Sequence, residues 1–254
     1  MSETRKHGRR WFQYSLRSLL LVMFLVSLGM GWFVVRMKRA REQKAAVEEI
    51  EKSGGFVWYD YAVDESGNPL PAAPPGPAWL RDLLGGDFFA TSYRVSFMPS
   101  AVTDTGLEHL KGLAQFQKLD LDLTRVTDAG LKHLKGLTQL QWLFLGCTKV
   151  TDAGLVHLKQ QAQLQLLDLG ATQVSDAGLE NLKGLTQLQS LDLGGTRVTD
   201  AGLNDLKRLT QLKNLFLWRT TVTNEGVKRL QKALPNCIIH GGPDLPRIME
   251  TGAP

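Results

Sequence analysis

The sequence predicts an α/β fold in which a solenoid of 24-residue strand–helix repeats, with a parallel sheet on its concave face, follows one transmembrane helix and an α/β capping unit. Three observations lead to this prediction. A six-residue motif recurs every 24 residues between Val102 and Val222. Within each interval the apolar residues change from the period of a strand to that of a helix. Near the N-terminus, 18 consecutive residues carry no charge.

The uncharged run covers residues 18–35 and reads SLLLVMFLVSLGMGWFVV. A helix rising ~1.5 Å per residue makes it roughly 27 Å long, close to the ~30 Å of a hydrocarbon core. A cleaved signal peptide is the alternative, because small residues near Gly29 resemble a cleavage site. Its apolar core is only ~7–15 residues long, however. Trp32 to Val35 continue the run, which favours an uncleaved signal-anchor.

Positive charge is concentrated around this run. Residues 1–44, which include a basic tail at 1–17, hold ten Lys/Arg and two Asp/Glu; the remaining residues hold twenty and twenty-three. Basic charge beside an apolar run indicates a membrane partner, so no nucleic-acid partner is expected. Five basic residues lie on each side of the run, so the positive-inside rule does not decide the orientation. We expect a single-pass protein of the cell membrane with its N-terminus in the cytoplasm and the repeats outside.

Residues 36–92 predict a helical connector, a strand, a Pro/Gly loop and an N-terminal cap. The helix continues to residue 52 and ends at Gly54-Gly55. The aromatic and β-branched stretch 56–61 predicts a strand, and 64–77 is rich in Gly, Pro and Ala, as loops are. Residues 79–84 predict a short amphipathic helix, and 93–98 a strand that leads into the repeats.

The repeats extend over residues 93–240, and 241–254 is expected to be a flexible tail. The motif reads VTDTGL at Val102, then VTDAGL or VSDAGL in four units, and VTNEGV at Val222. Leu143 and Leu145 follow strand spacing, whereas Leu155 and Leu158 follow helical spacing. One such unit cannot bury its own apolar faces, but stacked copies form one parallel sheet with strands ~4.8 Å apart.

The pattern LxxLxLxxTxV resembles the leucine-rich-repeat consensus, with threonine where that family usually has Asn or Cys. The T-D-x-G-L continuation is similar to the cysteine-containing subclass of ubiquitin-ligase recognition subunits. Together with the predicted anchor, the chain resembles membrane-anchored bacterial leucine-rich-repeat proteins. This resemblance implies a curved solenoid that binds proteins, and it implies no reaction.

Two repeated polar positions predict structural roles. The aspartates of the motif stand where helix N-caps belong, which favours capping over metal binding; they are Asp104, Asp128, Asp152, Asp176 and Asp200. The threonines from Thr124 to Thr220 are expected to satisfy main-chain groups in the turn after each strand. Neither the column His109, His133, His157 nor the two cysteines have a metal-ligand spacing, so no metal is expected.

Side chains alternate across each predicted strand, so parity assigns the concave residues. Aromatic pairs on two strands bracket two carboxylates, and together they are the candidate partner-binding site. Its members are Trp142, Phe144, Asp168, Asp192, Phe216 and Trp218. Exposed aromatics are typical binding anchors, and a central carboxylate pair favours a cationic group. In the alternative interpretation, Asp in L-D-L only keeps the sheet soluble.

No phosphate-binding loop, nucleophile elbow, HExxH or CxxC motif occurs in the sequence. We therefore expect neither catalysis nor a small-molecule cofactor. The predicted function is a membrane-tethered module that binds a protein or peptide. The alternatives are a ubiquitin-ligase-type adaptor, a structural cell-envelope protein and a binder of cell-wall glycan.

Overall fold

The computed structural model describes residues 16–62, 73–97, 99, 102–113 and 116–241. Nearly all of the predicted basic tail at 1–17 and of the predicted flexible tail at 241–254 lies outside these residues, as does most of the Pro/Gly loop. The described strands form one eight-stranded sheet in chain order.

A single helix, α1, runs without interruption from Leu16 to Lys52. Within the described part of the chain it is the helix long and apolar enough to cross a membrane, with a mean hydropathy of 2.1 over its most apolar window. No residue of that window is fully buried against the rest of the protein. The C-terminal half differs, because Ala46, Val47 and Ile50 belong to the hydrophobic core. Residues 36–52 are therefore packed on the solenoid and are not a free connector.

The segment after α1 completes the N-terminal end of the sheet. Strand β1 (Gly55–Tyr59) pairs antiparallel with β2 (Ser92–Phe97). Between them lie helix α2 (Ala78–Leu84), which ends at Gly85, and a 3-10 helix at Gly86–Phe88. Phe88 packs against Trp32 and Phe33, with ring-centroid distances of 6.3 and 5.5 Å. These contacts join the segment to the last turn of the apolar run.

From β2 onward, the strands are parallel and in register at the 24-residue interval. They are β3 (Lys118–Asp120), β4 (Trp142–Phe144), β5 (Leu166–Asp168), β6 (Ser190–Asp192), β7 (Asn214–Phe216) and β8 (Ile238–His240). The central leucines of β3 to β7 are fully buried, so the residues on either side of each leucine lie on the opposite, open face. The predicted parallel-sheet solenoid is confirmed.

The helical part of each repeat is shorter and tighter than the sequence predicts. The α-helical turns are α3 (Asp128–Leu131), α4 (Asp152–Leu155), α5 (Asp176–Leu179), α6 (Leu203–Leu206) and the longer α7 (Asn224–Ala233). Most continue as 3-10 helix, as at Lys132–Gly136. Leu131, Leu134 and Leu137 recur every third residue, which suits a helix of three residues per turn.

The aspartate ladder does not cap helices, so that prediction was wrong. The N-cap position belongs to the preceding Thr or Ser, for example Thr151 or Ser175. Each aspartate instead accepts hydrogen bonds from the backbone N–H and hydroxyl of the Thr or Ser 23 residues on, which is the second residue of the next motif. For Asp152 the distances to Ser175 N and Oγ are 2.7 and 2.6 Å. We call this pair of bonds the Asp clamp; it ties consecutive repeats together.

The threonine ladder has the predicted role, because each hydroxyl donates to the main-chain carbonyl three residues earlier. Thr148 Oγ1 lies 2.7 Å from the Leu145 oxygen, and Thr172 Oγ1 lies 2.6 Å from that of Leu169. The residue before each threonine has a left-handed backbone. These residues are Leu123, Cys147, Ala171, Gly195 and Arg219, with φ between 54° and 69°.

Candidate functional site

The open face of the sheet carries three rows of side chains that run across the strands. The middle row contains four of the six candidate residues in consecutive strands. In order, these are Phe144, Asp168, Asp192 and Phe216. We call this set the acidic–aromatic row. All four are half-buried, and three strand spacings of ~4.8 Å place the two phenylalanines roughly 14 Å apart at the backbone.

The two carboxylates of the row are held by main-chain hydrogen bonds. Asp168 Oδ1 accepts from Gly170 N, and Asp192 Oδ1 accepts from Gly194 N, both at 2.7 Å. The glycines leave room for this arrangement, because a Cβ at Gly194 would lie 3.0 Å from Asp192 Oδ1. Each carboxylate is thereby fixed through one oxygen, and the structure gives neither a cationic partner within its described residues.

Burial without a cation alters the acidity of these groups. It raises the pKa of Asp168 and the pKa of Asp192 above the usual range, although the glycine N–H bonds oppose the shift. Asp122 accepts from Gly146 N at 2.6 Å. Burial, together with the negative charge of Asp168, raises the pKa of Asp122 to about 6. The three carboxylates form a patch of incompletely compensated negative charge.

Asp120, which precedes Phe144 in the middle row, differs because it already has a cation. Its Oδ2 lies 3.1 Å from Arg94 and 3.2 Å from the Ser96 hydroxyl. The negative charge that remains without a basic neighbour is thus concentrated on Asp122, Asp168 and Asp192 among the described residues of this face.

Trp142 belongs to the neighbouring row, where it is already covered by a cation. Lys118 Nζ lies 3.2 Å from the centroid of its ring. On the other side of Lys118 in the same row, Arg94 lies 5.2 Å above the ring of Trp58. The sequence analysis did not include Trp58 and Arg94 in the site. The alternating Phe56-x-Trp58 on β1 is the signal that places both aromatics on the open face.

The remaining candidates lie towards the C-terminal end of the sheet. Phe216 stacks on His240, with centroids 4.5 Å apart and an interplanar angle of 11°. Trp218 lies in the third row beside Gly194, whose neighbour Gly195 donates to the Trp218 oxygen. The structure therefore brings Phe144, Asp168, Asp192 and Phe216 together and places Trp142 and Trp218 at diagonally opposite corners of the set.

Comparisons with known proteins identify the repeat. A family model described as Leucine Rich repeat matches residues 184–206. No curated protein matches the sequence. Similar solved structures are bacterial leucine-rich-repeat proteins. An internalin from Listeria monocytogenes is 24% identical with a TM-score of 0.39, covering 54% of this chain and 43% of that chain.

Two further structures are of the same kind. Internalin C2 from Listeria monocytogenes is 25% identical with a TM-score of 0.45, covering 60% of this chain and 70% of that chain. A leucine-rich-repeat protein from Leptospira interrogans is 22% identical with a TM-score of 0.41, covering 57% and 34%. This chain spans less than half of the first and third of these proteins. The predicted leucine-rich repeat is confirmed, while the resemblance to the cysteine-containing subclass stays a prediction.

Proposed function

We propose that this chain is a membrane-tethered binding module and not an enzyme, and that it recognises a protein or peptide segment bearing Lys or Arg on the concave face of its sheet. The acidic–aromatic row carries the proposal. Two carboxylates with one free oxygen each lie between two half-buried phenyl rings.

A Lys or Arg side chain matches this row in both charge and shape. The phenylalanines flank a gap two strands wide, which suits the methylene stem of such a side chain. The ammonium or guanidinium group would bond the free oxygens of Asp168 and Asp192 in a partly desolvated place, where charge-assisted hydrogen bonds are strong. The raised pKa values of both aspartates support this assignment, because a bound cation would relieve the cost of keeping them charged.

The experiment compares two variants with equal changes in charge. Asp168→Asn with Asp192→Asn keeps the carbonyl oxygens that bond Gly170 and Gly194 but removes the charge. Glu180→Gln with Glu225→Gln makes the same change at two exposed positions away from the row. An array of Lys- and Arg-containing peptides is probed with the full chain in detergent. We expect the first variant to lose binding by about tenfold or more and the second to bind as the unaltered chain does.

The aromatic members are tested separately. Trp142→Ala combined with Trp218→Ala removes the two corner anchors, and we expect weaker recovery of envelope partners in a pull-down from intact membranes. Unchanged recovery with this variant and with the asparagine variant would rule out the open face as the binding surface. Competition by a cell-wall glycan, with no effect of cationic peptides, would favour the glycan alternative.

The membrane part of the proposal rests on the N-terminal half of α1. Its exposed side chains from Leu19 to Val35 are uncharged and apolar except for Ser27, and basic residues follow directly. Exposed Cys147 supplies a reporter of orientation, since Cys237 is buried. A membrane-impermeant maleimide added to intact cells should label the unaltered chain but not Cys147→Ser if the repeats lie outside. Labelling only after lysis would show that the repeats lie inside the cell. Recovery of the protein in the soluble fraction would exclude the membrane tether.

A further inference from the structure

A cavity of about 690 Å³ lies where α1 packs on the N-terminal end of the solenoid. One wall is α1 just beyond the apolar run, with Arg36 and Arg39. The opposite wall includes Ser92 at the start of β2 and Lys111 in the first repeat. This cavity is separate from the open face of the sheet and shares none of the six candidate residues.

Two of the basic side chains of the cavity have no acidic partner in the described part of the chain, whereas its carboxylates have hydrogen-bond or ion-pair partners. Within the described parts of the chain, Arg39 and Lys111 have no acidic partner. The carboxylates on the wall have partners. Asp87 Oδ1 accepts from Gln43 at 2.9 Å and from the Tyr59 hydroxyl at 3.0 Å.

The other two acidic residues are also engaged. Asp60 Oδ1 accepts from the Thr91 amide at 3.2 Å. Glu42 lies 3.8 Å from Lys38, which is not among the residues that line the cavity. Each carboxylate of the cavity thus has at least one partner, whereas the Arg39 and Lys111 side chains have no acidic partner among the described residues.

A buried hydroxyl gives an independent indication of a ligand. Ser92 is 1% exposed, and its Oγ has no hydrogen-bond partner among the described residues. A buried hydroxyl without a partner is costly. Ser92 lines the cavity, so a ligand oxygen there would provide the missing hydrogen bond.

We propose that this cavity binds a phosphate group, with Arg39, Lys111 and the Ser92 hydroxyl as donors. The group comes from an anionic lipid of the adjoining leaflet or from free phosphate. The position favours the lipid, because Arg39 lies about one helical turn beyond Val35, the last residue of the apolar run. This choice of source, unlike the phosphate chemistry, depends on the membrane tether proposed above.

A second observation supports a lipid surface at this end of the protein. Trp79 and Leu83 on α2 are 67% and 72% exposed. They belong to the same segment as Asp87 and Ser92, which line the cavity. An exposed Trp and Leu four residues apart on one face of a short helix are typical of contact with the membrane interface.

The test uses the full chain in nanodiscs of phosphatidylcholine mixed with phosphatidylglycerol. Native mass spectrometry of the released protein counts retained phosphatidylglycerol. The test variant is Arg39→Gln with Lys111→Gln, and its control is Arg41→Gln with Lys159→Gln. The control removes the same charge at exposed positions outside the cavity. In a second arm, inorganic phosphate is titrated calorimetrically into the detergent-solubilised chain.

We expect the test variant to retain phosphatidylglycerol about tenfold less than the control, because charge-assisted hydrogen bonds are lost. Ser92→Ala should also weaken retention without lowering the melting temperature, since it removes a hydroxyl that has no partner. If the heat of phosphate binding is measured for the unaltered chain and the control but is absent for the test variant, free phosphate is the source. Equal retention by test and control variants, with no heat from phosphate, would overturn the proposal. The Asp168→Asn, Asp192→Asn variant should retain lipid normally. The lipid site and the proposed peptide site on the concave face are therefore tested by different variants, and either proposal can fail without the other.

Discussion

The Asp clamp makes a sharp prediction about Gly178, the glycine of the fourth motif. A Cβ at this position would contact Asp152 Oδ1 and lie 3.2 Å from Asp152 Cγ. The carboxylate cannot withdraw without breaking its bonds to Ser175 N and Oγ. Gly178→Ala should therefore separate two repeats at the clamp.

The magnitude follows from the bonds that are lost. Each hydrogen bond to a charged group contributes about 1.5–3 kcal/mol, and one donor is a partly buried amide. Alanine within the turn α5 returns about 0.5–1 kcal/mol of backbone entropy. The free energy of unfolding should thus fall by about 2–5.5 kcal/mol. Gly184→Ala is the matched control in the same repeat, because the nearest atom to its Cβ is 3.9 Å away.

A double-mutant cycle tests the cause, and not only the size, of this effect. Urea unfolding of the full chain in mild detergent, followed by tryptophan fluorescence, gives the free energies. Asp152→Ala alone should destabilise by a similar amount, because it removes both bonds. In that background Gly178→Ala should cost much less than in the unaltered chain, since the carboxylate it displaces is absent. Only Leu155 Cδ1, 3.0 Å from the added Cβ, would still have to move. An equal cost of Gly178→Ala in both backgrounds would refute the clamp as the reason for the glycine.

Three further predictions concern other features of the solenoid. Gln161 is fully buried, its Oε1 has no partner among the described residues, and its Nε2 donates to the Leu134 oxygen at 2.6 Å. That oxygen keeps the bond from Leu137 N when the side chain is replaced. Gln161→Leu should therefore stabilise by about 1 kcal/mol, as measured by urea unfolding. Asp122 has a folded pKa of about 6, above its unfolded value, so its contribution to stability falls as pH rises from about 4 to about 6. Asp122→Asn should therefore raise the melting temperature at pH 7.5, by an amount that corresponds to about 1–2 kcal/mol after solvent screening. The same substitution should have little effect at pH 4. Equal shifts of the melting temperature at both pH values would contradict the raised pKa of Asp122. Ala171 and Gly195 both have positive φ, 54° and 69°. Ala171→Gly should leave stability unchanged or raise it slightly, and Gly195→Ala should lower it by about 1 kcal/mol, as compared by thermal unfolding.

Much of the solenoid could be predicted because the repeat imposes two periods at once. The 24-residue interval sets the register of neighbouring strands, and alternation along each strand then places Phe144, Asp168, Asp192 and Phe216 on the open face in one row. Both inferences depend only on spacing. The period of three in Leu131, Leu134 and Leu137 was also available, but it was interpreted as an α-helix, although it fits a 3-10 helix better.

The features that were missed depend on partners that spacing does not identify. The aspartates stand beside a helix start, so capping is the local expectation, yet their donors lie 23 residues away in the next repeat. The packing of Val47 and Ile50 into the core could not be predicted, because two apolar residues on an otherwise polar helical segment do not indicate burial. Likewise, Arg94 on β2 lies close enough to Asp120 on β3 to neutralise it. The repeated motif begins after β2, so it could not predict this pairing.

The aspartates of the Asp clamp differ in geometry from the two aspartates to which we assign binding. In the Asp clamp both carboxylate oxygens accept hydrogen bonds from the next repeat, so the carboxylate holds the two repeats together. On the open face, Asp168 and Asp192 each bond one glycine amide through Oδ1, and half-burial leaves the other oxygen at the surface at a cost in free energy. A repeat that only needed a soluble sheet would be better served by a fully solvated side chain. The free-energy cost of half-burying these two carboxylates therefore supports a binding role for the acidic–aromatic row. A cationic partner is the ligand that would offset this cost.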